Sequence, residues 1–370
     1  MPTVRRMAAV RMVEWGRGPE LVEVAVPEPG HGQVRVRVAG CGLCHSDLTM
    51  ASLPREVGGS LGWAIPFTLG HETAGWVDAV GPGADGWAEG TPVALAAASS
   101  CGRCRACRRG LESACAHGAA GRGYGRDGGL AEHVLVEDPD RSLLPLGDLD
   151  PATAGPLTDA GATSHHAVAR VAPRVAEGGA VVVVGAGGLG IVVVQLARVL
   201  TGATVLAVDP DPARRDLALR RGAHLVIDVA EPASLRRALA GRPVDAVVDL
   251  VGTDDTLSAG LAVLAPGGAF ALVGAGGATL QRPWYGGLPR DAEIVTFQGS
   301  DLRDARQVIR LAATGALTVD VEPYPLGRAL DAFAALDRGG LTGRLVVQPD
   351  LPSSPTPPSS PPSRRSVPPG

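Results

Sequence analysis

Four cysteines, Cys101, Cys104, Cys107 and Cys115, fall in a C-x2-C-x2-C-x7-C pattern within a loop rich in Gly and Arg. Four thiolates close a tetrahedral zinc shell and leave no open position, so this spacing predicts a structural rather than a catalytic metal site. The chain has six cysteines, clustered in two places, and no apolar run follows Arg5 and Arg6 as a secretory signal would require. Metal ligation therefore explains the cysteines better than disulfides. The second cluster is Cys41–Asp47 (CGLCHSD), and Gly70–Glu72 (GHE) adds His71. Cys44 and His71 are ligand types, but a lone Cys and a distant His are buried for structural reasons just as often.

A second kind of chemistry is written in Ala180–Asp209, AVVVVGAGGLGIVVVQLARVLTGATVLAVD. Val181–Val184 is a β-branched run of the buried parallel-strand type. Gly185, Gly187 and Gly190 complete a G-x-G-x-x-G turn that also contains Gly188 and Leu189. Ile191–Leu200 continues as an apolar helix, and Thr204–Val208 is a second buried strand ending in Asp209. In a dinucleotide site the first glycine permits the tight turn, the second admits the pyrophosphate, and the third lets helix and strand approach. The N–H groups at the helix start then face phosphate charge. Asp209 stands where a carboxylate accepts hydrogen bonds from ribose hydroxyls and repels a 2′-phosphate, which predicts NAD over NADP.

The elements that must position these residues follow from patterning. Gly32–Val38 alternates as a half-buried strand, Pro27–Gly30 is a turn, and Gly118–Leu149 reads as further strand and loop. Pro156–Val168 starts the helix that leads into the dinucleotide segment. Strands at Val181–Val184, Thr204–Val208, Leu225–Ile227, Ala246–Leu250 and Ala269–Val273 alternate with helical segments, the pattern of a doubly wound parallel sheet. Asp301–Gly315 reads as a helix and Gly343–Gln348 as a last strand. Asp350–Gly370 is rich in Pro and Ser without apolar periodicity and is expected to be a disordered tail. At 370 residues, 45% hydrophobic and net charge −4, the chain is long enough for two domains and fits a globular protein. No basic run argues for nucleic acid and no 18-residue apolar segment argues for a membrane span. A cytoplasmic location is expected. Lysine is absent, so any cationic contact to phosphate must come from Arg.

With GLCHSD, GHE, the four-cysteine lobe, PLTDAG and GAGGLG with Asp209 in order, the chain resembles the zinc-dependent alcohol dehydrogenases of the medium-chain dehydrogenase/reductase family. The resemblance covers residues 5–349. It implies an α/β fold in which a Rossmann doubly wound parallel sheet is inserted in a GroES-like β-barrel catalytic domain. The expected division is 1–160 for the catalytic domain with a zinc lobe at about 97–116, 161–299 for the NAD-binding domain, 300–349 for the return to the catalytic domain, and 350–370 for the tail.

The resemblance makes Cys44 and His71 ligands of a catalytic zinc. The third family ligand is usually Cys; here that position is Asp159, which some members also fill with an acid. A helix N-cap is the alternative for Asp159, and Glu72, the family's acid near the metal, is an alternative ligand. Asp47 resembles the acid that orients the liganding His. Ser46 matches the hydroxyl that bonds the substrate oxygen, and His45 a position that touches the pyrophosphate or extends the proton path. Thr163 and Leu189 match residues packing against the nicotinamide, Arg214 a basic residue near the adenosine ribose, and Arg344 one that reaches the phosphates.

The implied cofactors are one catalytic and one structural zinc per chain, with NAD. The implied reaction is reversible oxidation of primary or secondary alcohols to aldehydes or ketones, and the partner is a small alcohol or carbonyl compound. Relatives form dimers or tetramers, so a homodimer or homotetramer is expected. A polyol or amino-alcohol dehydrogenase of the same family is the near alternative, and a silent NAD-binding scaffold the remote one. Small residues in Ala94–Ser100 hint at a roomy pocket, with Trp63, Trp284 and Tyr285 as candidate lining or ordinary packing.

Overall fold

A computed structural model describes residues 5–97 and 99–350. The expected disordered tail, apart from Asp350, lies outside the described residues.

The first part of the chain builds a β-structure around the strand Val34–Gly42. That strand pairs antiparallel with Glu72–Val80, His133–Val136 and Arg344–Gln348. Pro92–Leu95 and Leu143–Pro145 extend the sheet on one side, and Val321–Pro325 closes the other by pairing parallel with Arg344–Gln348. A second sheet of Pro19–Ala25, Arg6–Met12 and Phe67–Thr68 covers it. Between them lies an apolar core that includes Val34, Val36, Val38, Leu69, Leu95 and Leu345. The strand predicted at Gly32–Val38 runs on to Gly42, because Val34, Val36 and Val38 face the core and the small residues after them stay buried too.

Residues 180–296 carry six parallel strands in the order Leu225–Ile227, Thr204–Val208, Ala180–Val184, Val244–Asp249, Leu264–Leu272, Glu293–Thr296. Numbered along the chain this is 3-2-1-4-5-6, the dinucleotide-binding order. Ala180–Val184 is buried along its whole length, as its unbroken apolar run requires. The helix Gly190–Thr201 ends at Gly202, whose φ of 65° supplies the left-handed cap. The sixth strand has no counterpart among the five predicted. In its sequence EIVT only Val295 is buried, with Ile294 half-buried and Glu293 and Thr296 exposed, so four residues at a sheet edge give periodicity little to read.

Two long helices join the halves. Ala160–Val171 lies against both Gly190–Thr201 and Leu302–Ala313. It is buried from Ala160 to Val168. Gly161 makes the close approach possible: a Cβ there would stand 2.7 Å from Val308 Cγ1.

Candidate active site and metal centres

Strand register assembles the first ligand set. Gly42 pairs with Glu72 across the antiparallel strands. Cys44, just past one strand end, and His71, just before the other strand begins, therefore meet although they lie far apart in sequence. Glu72 packs so tightly on Gly42 that a Cβ there would fall 2.0 Å from Glu72 Oε2.

Donor atoms of Cys44, His71, Glu72 and Asp159 all lie within 4.8 Å of one another. His71 Nε2 is 3.5 Å from Asp159 Oδ2, and Nδ1 is 3.4 Å from Asp47 Oδ1. Both ring nitrogens are buried and make no hydrogen bond. Burial by itself favours a neutral imidazole, but Asp47, Tyr124 and Asp159 raise its pKa well above the ordinary value. The surroundings of His71 thus call for a positive charge, which a divalent metal at Nε2 satisfies. Burial also works to protonate Asp159, yet its contact with His71 outweighs this and pulls the carboxyl down to about 2. Asp159 is ionised at neutral pH, as a ligand must be. These donors fit a zinc ion.

The two alternatives for the third ligand separate on geometry. Asp159 occupies the position before the helix Ala160–Val171 but makes no side-chain capping bond. Its Oδ1 instead accepts a bond from Thr163 Oγ1 at 3.2 Å. Glu72 is engaged elsewhere: Arg344 Nε donates to its Oε2 at 3.0 Å, and Nη2 donates to Oε1. Both partners are buried, at 5% exposure or less.

Arg344, expected at the phosphates, thus spends two of its nitrogens on Glu72. Its Nη1 faces the glycine turn, 3.2 Å from where a Gly188 Cβ would stand. The guanidinium therefore bridges the metal cluster and the dinucleotide turn instead of projecting freely into the latter.

In that turn Gly185 has φ +89°, and a Cβ on Gly190 would overlap Gly185 O at 1.9 Å. Only glycine fits at the third position, because the helix starts against the strand end. Asp209 is buried; Oδ2 accepts the Ala186 N–H at 2.8 Å and Oδ1 the Asp211 N–H at 2.9 Å. Arg214 stands beside it, with Nη1 3.7 Å from Asp209 Oδ2. Ser164 Oγ donates to Leu189 O at 3.1 Å. Asp159, Thr163 and Ser164 thus tie the metal cluster to the dinucleotide turn through one helix. His45 is exposed; burial of part of its ring, then Arg344 and Arg214, lower its pKa.

Sequence reasoning missed Tyr124. Its hydroxyl is 3.1 Å from Ser46 Oγ. Its ring centroid is 4.7 Å from that of His71 and 6.2 Å from that of Trp63. Burial pushes the phenol pKa above its ordinary value. Trp63 is half-buried and borders the site through Tyr124. Trp284 and Tyr285 do neither of the things expected of them: they are 80% and 83% exposed and meet each other edge to face, away from any core. In Ala94–Ser100, Ala94, Leu95 and Ala96 are buried. Ser99 Oγ donates to Ala120 O and Ser100 Oγ accepts from Arg141, bracing neighbouring loops.

The sulfur atoms of Cys101, Cys104, Cys107 and Cys115 converge in the second cluster, with Cys104 3.5 Å from Cys107 and 3.9 Å from Cys115. Backbone N–H groups of Cys107 and Ala116 push the Cys104 thiol down to about 6, whereas burial pushes Cys107 up to about 12. No donor position is left over, as a closed structural site demands. A third group, His166, Asp301 and Asp304, is wholly buried. Here His166 Nδ1 lies 2.8 Å from Asp304 Oδ2 and His165 Nδ1 2.7 Å from Asp304 Oδ1. Those are hydrogen-bond separations, closer than the 3.5 Å between His71 and Asp159, so protons rather than a metal join these groups.

Fold and site together define a metal-dependent nicotinamide oxidoreductase. Residues 30–148 match the alcohol dehydrogenase GroES-like domain and residues 188–314 the zinc-binding dehydrogenase domain. An NAD-dependent alcohol dehydrogenase of Saccharolobus solfataricus is 35% identical over 354 residues, 93% of this chain and all (100%) of that protein. A D-arabinose 1-dehydrogenase (NADP(+)) of the same organism is 31% identical, covering 88% of this chain and 93% of that one. The crystal structure of the alcohol dehydrogenase of Aeropyrum pernix superposes with a TM-score of 0.84 at 31% identity, over 92% of this chain and 100% of that one. The chain belongs to the zinc-dependent alcohol dehydrogenase family of medium-chain dehydrogenases/reductases, and it is an enzyme, an oxidoreductase.

Proposed function

We propose that this enzyme reversibly oxidises primary or secondary alcohols to aldehydes or ketones with NAD as hydride acceptor. The observation that carries the reading is the helix Ala160–Val171, which connects a largely buried set of metal-ligand side chains at one end to the dinucleotide turn at its flank.

Cys44, His71 and Asp159 would hold the catalytic zinc, with Asp47 behind the His71 ring and Glu72 kept off the metal by Arg344. When bound there, zinc supplies a Lewis acid that eases loss of the hydroxyl proton. NAD supplies the hydride-accepting ring, which the protein binds and orients. Ser46 holds the substrate oxygen and takes part in moving its proton, with exposed His45 leading toward solvent. Gly185, Gly187, Gly188 and Gly190 cradle the pyrophosphate, Thr163 and Leu189 support the nicotinamide, and Asp209 with Arg214 receives the adenosine ribose. Cys101, Cys104, Cys107 and Cys115 would hold a second, structural zinc, giving two ions per chain.

Thiolate clusters of this kind suit a reducing compartment such as the cytoplasm. Among the described residues no helix is long and apolar enough to cross a membrane. A homodimer or homotetramer is supported by the exposed pair Trp284 and Tyr285.

Initial rates with NAD over primary, secondary and aromatic alcohols, sugar alcohols and threonine test the proposal. Turnover of simple alcohols is expected to dominate. Activity confined to sugar alcohols or threonine would move the assignment to the polyol or amino-alcohol branch, and no turnover at all would leave a silent scaffold.

A further inference from the structure

Ser46 and Tyr124 belong to segments 78 positions apart, yet their hydroxyls are 3.1 Å apart in the half-buried space beside His71. Two hydroxyls carry two protons and share one bond, so one proton of the pair remains for a third oxygen. A lone serine has three accessible rotamers and no reason to aim its proton. The Tyr124 ring is itself fixed, packed against His71 on one side and Trp63 on the other. Trp63 is in turn anchored by its Nε1, which donates to Ala119 O at 2.7 Å. Two tilted ring contacts therefore hold the phenol within hydrogen-bonding distance of Ser46.

We propose that Tyr124 is a positioning residue for the reaction: its hydroxyl fixes the Ser46 rotamer and directs the serine proton at the substrate oxygen. This inference rests on the alcohol dehydrogenase reading given above. In the carbonyl-reducing direction, Tyr124 donates to Ser46 Oγ and Ser46 donates to the carbonyl oxygen as charge develops there. In the oxidising direction Ser46 Oγ accepts a hydrogen bond from the substrate hydroxyl and donates its own proton to Tyr124 Oη, so the pair orients that hydroxyl and takes up no net proton. The hydroxyl chain polarises in one direction at a time, and each bond strengthens the next.

The test compares the unaltered enzyme with Tyr124→Phe, Ser46→Ala, the double variant, and Tyr124→Phe combined with Ser46→Thr. Phenylalanine keeps the ring between His71 and Trp63, so zinc content should stay unchanged. Tyr124→Phe is expected to lower kcat/KM about ten-fold, and Ser46→Ala about a hundred-fold. The double variant should be no worse than Ser46→Ala within about two-fold, because the phenol acts only through the serine. A threonine at 46 should recover most of the Tyr124→Phe loss, since its β-branch restricts χ1 without a partner. Binding of an unreactive carboxamide, whose carbonyl stands in for that of a ketone, should weaken in Tyr124→Phe when measured calorimetrically with NADH. Full activity of Tyr124→Phe, or multiplicative losses in the double variant, would overturn the proposal. Absence of alcohol turnover in the unaltered enzyme would overturn the reaction assignment instead.

Discussion

At the scale of single residues, Asp159 and Asp209 each carry a consequence that substitution reads directly. Asp159→Ala removes the carboxylate that lies 3.5 Å from His71 Nε2. The variant is expected to lose the catalytic zinc and turnover while the lobe zinc and the fold survive. Asp159→Cys should recover metal, because a thiolate is as good a zinc donor. Metal analysis finding two ions and near-normal kcat in Asp159→Ala would end the assignment. Asp209 is held by Ala186 and Asp211 N–H groups at the end of its strand, which keeps its carboxylate facing the glycine turn. NAD is expected to be used far better than NADP, and Asp209→Gly to narrow the gap. Equal kcat/KM for the two cofactors in the unaltered enzyme would contradict this. Cys44, His71 and Asp159 were reached through the resemblance carried by GLCHSD, GHE and PLTDAG, since residue type alone left ordinary burial equally open. Tyr124 was not, since nothing local ties it to Ser46, and only the folding of its loop brings the hydroxyls together. The Arg344–Glu72 fork was hidden for the same reason: it joins the last strand to an early one.

At the scale of elements, the helix Ala160–Val171 is held from behind by the helix Leu302–Ala313. His165 and His166 both bond Asp304 in the first turn of the latter. Asp301, just before that helix, accepts the Ser113 N–H of the cysteine lobe at 2.8 Å. Loop, helix and helix are thus interlocked behind the site. Burial alone would raise the Asp304 pKa, but the two imidazoles hold it below the ordinary carboxylate range. A depressed native pKa contributes stability that is complete above the unfolded value of about 3.9 and is lost as the pH falls through the native one. Asp304→Asn should therefore cost about 2 kcal/mol near neutrality, and the difference should shrink in acid. Denaturant unfolding across pH checks this; a cost that stays constant into strong acid would refute the linkage. Patterning identified the parallel strands through their unbroken apolar runs, as in Val181–Val184 and Thr204–Val208. It could not identify Glu293–Thr296, a four-residue edge strand in which only Val295 is buried.

At the scale of the molecule, the two exposed rings at Trp284 and Tyr285 lie a few residues before the edge strand Glu293–Thr296. Large exposed aromatics next to an unpaired sheet edge mark an association surface. Replacing both rings by Ser should shift the protein toward monomer in light scattering while leaving the monomer folded. Unchanged mass would place the subunit contact elsewhere.

The strand Arg344–Gln348 sits between Val34–Gly42 and Val321–Pro325, so the first half of the chain is completed by nearly the last residues described. During synthesis the nucleotide sheet, whose six strands are contiguous in sequence, can close while the barrel still lacks an interior strand. Until Arg344 leaves the ribosome, Glu72 has no cation to fork with. A carboxylate cannot be buried alone without a heavy cost. The nascent enzyme is therefore barred from finishing its metal pocket before Arg344 has been made, and any truncation short of Arg344 would strand a half-made barrel beside a finished nucleotide domain.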